Sequence, residues 1–156
     1  MPDLLVNLLK LPPLDPALEA MKRSHIVIRR AQPFEITPLR SFVETNFSES
    51  WADEISVGFA SKPVSVYIGV REKEILGFAA YECTRRGFFG PTGVLGGMQG
   101  RGIGTALLLA CLWGLREMGY IYGIIGGVGP VEFYEKAVGA SVIPNSDPGI
   151  YTDLLK

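Results

Sequence analysis

Apolar and polar positions along this 156-residue chain repeat at two different periods. Leu4, Leu5, Val6, Leu8, Leu9 and Leu11 form a first apolar cluster that stops at Pro12-Pro13. It is too short to span a bilayer, and Asp3 stands where a signal peptide needs a basic residue. Residues 1–24 therefore read as an extension docked on the core or on a partner subunit, ahead of a single domain over 25–156. Asp15-Pro16 has the form of an N-cap with Pro at N1, opening a short helix to about Lys22. Residues 25–30 alternate as a strand. Leu39, Phe42, Val43 and Phe47 recur near helical spacing, and a polar break at Ser48-Glu49-Ser50 leads into a second short helix from Trp51 to Phe59. Residues 64–70 and 75–84, joined by the charged turn Arg71-Glu72-Lys73-Glu74, make a hairpin. Residues 88–95 are the next strand, with Pro91 marking a bulge or an edge. A helical run over 105–116, a buried strand over 120–125 and a helical block over 131–140 follow, and 149–155 fit a last strand after a turn-rich stretch.

Composition narrows the classes. A chain of 17.0 kDa supports one ordinary core and not two. Its net charge of -1 gives no broad attraction for nucleic acid or an anionic membrane, so small-molecule partners are expected. Cys83 and Cys111, the two cysteines, lack metal-ligand spacing, which points to a reduced, cytoplasmic protein with no metal. Fourteen of the nineteen glycines lie between Gly87 and Gly129, which makes that half the chemically specialised one.

The centre of that half is Val94-Leu95-Gly96-Gly97-Met98-Gln99-Gly100-Arg101-Gly102-Ile103-Gly104-Thr105, a strand running through a glycine-rich turn into an apolar helix. The first backbone N–H groups of a helix have no intrahelical partner, and the peptide dipoles leave about half a positive charge there. Glycines let a diphosphate approach such a backbone. A P-loop fails because Ile103 and Gly104 stand where Lys and Ser or Thr belong. A dinucleotide fingerprint fits poorly, because Gly100-x-Gly102 is followed by Thr105 and Gly102-x-Gly104 by Leu107, and position 122 is Tyr where an acid is wanted. What remains is Q-x-x-G-x-G, carried by Gln99, Gly102 and Gly104.

That motif resembles the acyl-CoA loop of the GNAT superfamily of N-acetyltransferases, and Phe133-Tyr134-Glu135-Lys136 downstream resembles the family's FYEK element. Together the two cover residues 88–140. The resemblance implies a mixed α/β sandwich, a mostly antiparallel sheet with helices on both faces and a splayed strand pair at the CoA site. It implies acetyl-CoA as cosubstrate, with the pantetheine arm along Thr92, Gly93 and Val94. The pyrophosphate would rest on the N–H groups of Gly100, Arg101, Gly102, Ile103, Gly104 and Thr105, with Gln99 beside it. Tyr134 matches the family's general acid. The acceptor would be the amine of a small molecule or peptide, attacked in a ternary complex.

An alkylamine with a pKa of about 10 is neutral about one time in a thousand at pH 7, a barrier of about 4 kcal/mol that a base relieves. The strands over 88–95 and 120–125 contain no carboxylate, which leaves Glu82 as the nearest candidate base. Gly127 falls where many family members have a cofactor-binding Asn, and Gly126-Gly127-Val128-Gly129 is expected to open the floor of the acceptor site. Glu49, Asp53 and Glu54, beside Trp51, lie in the segment that walls the acceptor pocket in the family. His25 and Cys83 have no partners that would activate them and are given no role. A non-catalytic acyl-CoA-binding or sensing domain is the alternative. The N-terminal cluster and the last strand offer surfaces for a homodimer.

Overall fold

In the computed structural model of the protein, which describes residues 1–155, one seven-stranded sheet organises the chain. The elements are β1 (Leu4–Asn7), α1 (Asp15–Arg23), β2 (Val27–Arg30), α2 (Ile36–Asn46), α3 (Glu49–Val57), β3 (Val66–Arg71), β4 (Glu74–Tyr81), β5 (Phe88–Val94), α4 (Ile103–Glu117), β6 (Tyr122–Ile125), α5 (Val131–Val138) and β7 (Ser141–Val142). The strand order is β2-β3-β4-β5-β6-β1-β7. All pairs are antiparallel except β5 with β6. This is the mixed α/β, mostly antiparallel sheet expected from the sequence.

Side-chain alternation divides the core between the two faces of the sheet. Ile68, Phe78 and Ala80 pack with Leu39, Val43 and Ile55 of α2 and α3, whereas Ala79 and Tyr81 pack with Met21 of α1 and the buried face of α4. With helices on both faces, β4 is buried almost end to end, which explains its unbroken apolar sequence. Ten of the fifteen residues of α4 are buried. The β3–β4 hairpin turns through Glu72 and Lys73 at positive φ (51° and 67°), the paired left-handed conformation of a two-residue loop.

The N-terminal apolar run is a strand of the sheet itself. β1 sits between β6 and β7, with Leu4 opposite both Ile125 and Val142. Leu4, Val6 and Leu8 are fully buried. The run of consecutive leucines conceals the period of two, because Leu5 and Leu9 occupy positions that are polar in a plain half-buried strand. The strand expected over 149–155 does not form. β1 holds the edge of β6, so the last strand is the short β7. At the start of α1, Leu14 takes the N-cap position and Asp15 is the first helical residue.

β5 and β6 pair only at Phe88 with Ile124 and Phe89 with Ile125, and then diverge. Pro91 follows at once with no N–H for a ladder, and the register against β4 shifts between Ala79 and Tyr81, the expected bulge.

Candidate functional site: a groove and a cavity meeting at Tyr134

The divergence of β5 from β6 leaves one edge of β5 open. Leu95 donates its N–H to the carbonyl of Leu76 (2.8 Å), toward β4, so by alternation Val94 and Thr92 present their backbone groups to the opposite, unpaired edge. That edge forms one wall of a groove of about 530 Å³ whose far wall is the start of α4. The first backbone bond into the helix runs from Ala106 N–H to Gly102 O (3.0 Å), leaving the N–H groups of Ile103, Gly104 and Thr105 without helical acceptors. Gly102 caps the helix at φ 89°, a left-handed conformation that L side chains rarely adopt. No acidic residue lies in the first turn of α4, so nothing of the chain's own neutralises the dipole.

Thr92, Gly93, Val94, Gln99 and Gly100 line this groove, as do Gly102, Ile103, Gly104 and Thr105. Arg101 does not; its exposed position on the loop turns it to solvent. Gly93 has a packing reason to be glycine as well, since a Cβ there would come within 2.5 Å of the Phe47 ring.

A second cavity, of about 440 Å³, opens on the other side of Tyr134. Its walls include Trp51 and Glu54 of α3, Thr84, the start of β5, and the Gly126-Gly127-Val128-Gly129 segment. Trp51 is fixed by stacking on Phe47 (5.7 Å between centroids) and by an edge contact with Phe78 (6.3 Å). Ser48 caps α3 by accepting the Trp51 N–H (3.2 Å), and that cap sets the angle at which Trp51 and Glu54 enter the cavity. The Thr84 hydroxyl donates to Glu54 Oε2, while no protein donor reaches Oε1 among the described residues.

Groove and cavity share Phe89, Thr92, Pro130 and Tyr134. Tyr134 is 7% exposed, with Phe89 and Phe133 packed edge-on against its ring at 6.4 and 5.0 Å. Its hydroxyl has no hydrogen-bond partner among the described residues, yet no buried side-chain polar atom among them is unsatisfied, so the hydroxyl is accessible on a residue that lines both spaces. Burial pushes its pKa up from 10, which keeps it a proton donor at neutral pH.

The architecture matches solved acetyltransferases. Over 91% of its length the chain superposes, at TM-score 0.73 and 18% identity, on a GCN5-related glucosamine N-acetyltransferase region of a fungal multi-domain GH3 β-N-acetylglucosaminidase. The same share superposes on a GCN5-related N-acetyltransferase from Sphaerobacter thermophilus, at TM-score 0.71 and 22% identity. The chain has the GNAT fold. A third GNAT structure, a Brucella melitensis acetyltransferase in complex with acetyl-CoA, matches 76% of this chain and 87% of its own at TM-score 0.59 and 21% identity. The chain spans 19% and 48% of the first two proteins. No protein-family model matches its sequence, and no curated protein does.

Within this GNAT fold the structure does not bring Glu82 to Tyr134. Glu82 sits at positive φ (60°) in the turn after β4, where its Oε2 accepts the Gly87 N–H and its Oε1 accepts the Tyr120 hydroxyl (3.2 Å). It faces a separate cavity shared with Arg30 and Glu117. Of the acidic residues expected near Trp51, Glu54 is the one that lines the cavity. Of its two neighbours, Asp53 is turned away to Arg40 (3.1 Å) and Glu49 is exposed at the helix start. His25 lies exposed in the turn before β2, outside the groove and the cavity. Burial pushes the Cys83 thiol up to about 11, which keeps it protonated and unreactive.

Two contributors had no readable signal in the sequence. Tyr151 walls the cavity, its ring 2.7 Å from where a Cβ on Gly127 would stand. Asp3, 8% exposed, accepts the Gly127 N–H (2.9 Å) and so braces the cavity floor from the other end of the chain. Among the described residues, no cluster of three or more potential metal ligands exists and no helix is long and apolar enough to cross a membrane.

Proposed function

We propose that the protein is an N-acetyltransferase that moves an acetyl group from acetyl-CoA to the amine of a small molecule or peptide by direct attack in a ternary complex. The observation that carries this reading is the meeting of groove and cavity at the Tyr134 hydroxyl. Bound acetyl-CoA supplies a thioester carbonyl open to attack. The unpaired N–H groups of Ile103, Gly104 and Thr105 hold the pyrophosphate, and the open edge of β5 orders the pantetheine arm through Thr92 and Val94. Glu54 takes one proton from the bound ammonium. The C–N bond then forms as the C–S bond breaks, Tyr134 gives its proton to the departing sulfur, and the nitrogen's second proton replaces it. The amide keeps the third, and Glu54 returns its proton to water.

The test is release of CoA thiol from acetyl-CoA in the presence of primary amines, with the acetylated product identified by mass. Turnover that depends on the amine supports the reading. Tight acetyl-CoA binding with no turnover across a broad amine panel would instead favour a non-catalytic acyl-CoA-binding or sensing domain.

A further inference from the structure

If the acetyltransferase reading holds, the acceptor cavity restricts which amines can enter. Its side walls are apolar and largely aromatic, with Trp51, Phe88, Pro91, Ile125 and Tyr151 around Tyr134. Its volume of about 440 Å³ falls in the lower part of the roughly 300–1,000 Å³ range of small-molecule clefts. No lysine, arginine or histidine lines it among the described residues. Two carboxylates do. Asp147 lies at the exposed rim, and Glu54 is half-buried with Oε1 free of protein donors.

These walls discriminate by charge and by polarity. An ammonium gains a charge-assisted hydrogen bond from Glu54, in a setting where the carboxylate has no other cation. A ligand carboxylate or phosphate would meet the same negative charge, and the one cation on the lining among the described residues, the Met1 ammonium, is already paired with Asp147 at the rim (2.7 Å). Sugar hydroxyls would lose water against aromatic walls that offer few partners. We infer that the acceptor is a compact apolar primary amine with no acid group of its own, an arylalkylamine or a branched alkylamine, held by its ammonium at Glu54.

Calorimetric titration of phenethylamine into the protein saturated with CoA tests this without turnover. Phenylalanine, the same body with a carboxylate, and glucosamine serve as controls. The expected result is that phenethylamine binds and both controls bind at least about tenfold more weakly, the ratio that corresponds to ~1.4 kcal/mol. Glu54→Gln should weaken phenethylamine at least about tenfold while CoA affinity stays within about twofold. Phenylalanine or glucosamine binding as well as phenethylamine, or no phenethylamine binding to protein that demonstrably holds CoA, would overturn the inference. So would wild-type amine affinity in a folded Glu54→Gln protein. Because no acetyl group is present, this outcome is separate from failure of the acetyltransferase reading, which the thiol-release assay reports.

Discussion

The groove and the cavity meet at one hydroxyl and are made of different material. The groove is backbone: the open edge of β5 and the N–H groups at the start of α4, all within residues 89–134. Above its glycine floor, the cavity is side chains gathered from five separated stretches, from Met1 to Tyr151. A site made of backbone needs particular residues only where conformation or close approach demands them, and those residues are glycines that stand out in a sequence. A site made of side chains takes ordinary Trp, Glu, Phe and Tyr, whose meeting depends on the whole fold. On the proposed function, the groove suits a cosubstrate common to many proteins and the cavity an acceptor peculiar to this one.

The largest effect should come from removing β1, which braces the cavity floor and shares a core with α4. Deleting residues 2–7 takes out the fully buried Leu4 and Val6, strips β7 of its partner, and frees the Gly127 floor from Asp3. Circular dichroism should show no cooperative thermal transition, because a native stability of roughly 5–15 kcal/mol cannot absorb such a loss. A folded truncated protein would mean that β1 is dispensable to the sheet.

Gly102→Glu attacks the groove alone. It places a side chain at φ 89° with its Cβ 3.1 Å from Met21 Cε, and a negative charge where a pyrophosphate would rest. Acetyl-CoA affinity should fall by about 100-fold or more, equivalent to ~2.7 kcal/mol, and unchanged affinity by calorimetry would remove the phosphate-loop assignment.

Tyr134→Phe acts at the junction. The rate of transfer should drop about 100-fold or more, within the range for losing a general acid, while acetyl-CoA affinity changes by less than about twofold. Equal losses in both would make Tyr134 a packing residue. The wild-type pH profile sharpens this point. Burial raises the Tyr134 pKa above 10, so the donating form persists at lower pH and is lost only as pH passes above 10. Activity should show no Tyr134-dependent decline as pH rises to 10, and a decline near pH 8 that disappears in Tyr134→Phe would contradict the account.

The smallest effect is expected from Gly127→Ala, which forces a left-handed φ of 56° on alanine and presses its Cβ toward Tyr151. Stability should fall by about 1–3 kcal/mol, seen as a lower melting temperature, with amine affinity reduced and acetyl-CoA affinity kept.

The same division explains what was legible in the sequence. The loop from Gly96 to Thr105 and the helix after it were readable because local signals, glycine spacing and helical periodicity, determine them, whereas Tyr134 was reached through the resemblance of Phe133-Tyr134-Glu135-Lys136 to the FYEK element. The order of helices and strands from residue 25 to residue 138 followed from periodicity for the same reason. β1 was not legible as a strand, because its place depends on β6 and β7, more than a hundred residues away, and consecutive leucines carry no period. Glu82 looked like the base because it stood close in sequence to the central strands. The turn at 82–87 takes its carboxylate to Gly87 and Tyr120 instead. Of Glu49, Asp53 and Glu54, which the sequence left equal beside Trp51, the fold selects Glu54, because the Ser48 cap and the Trp51 stack set the pitch of α3.

The central claim is that the α4 loop holds acyl-CoA, and titration of the purified protein with acetyl-CoA, against ATP and NAD at matched concentrations, tests it most directly. The account predicts one saturable site for acetyl-CoA, none for ATP or NAD, and about 2.7 kcal/mol of added native-state stability at 100 times Kd. Equal binding of ATP or NAD, or no binding of acetyl-CoA to the folded protein, would contradict it.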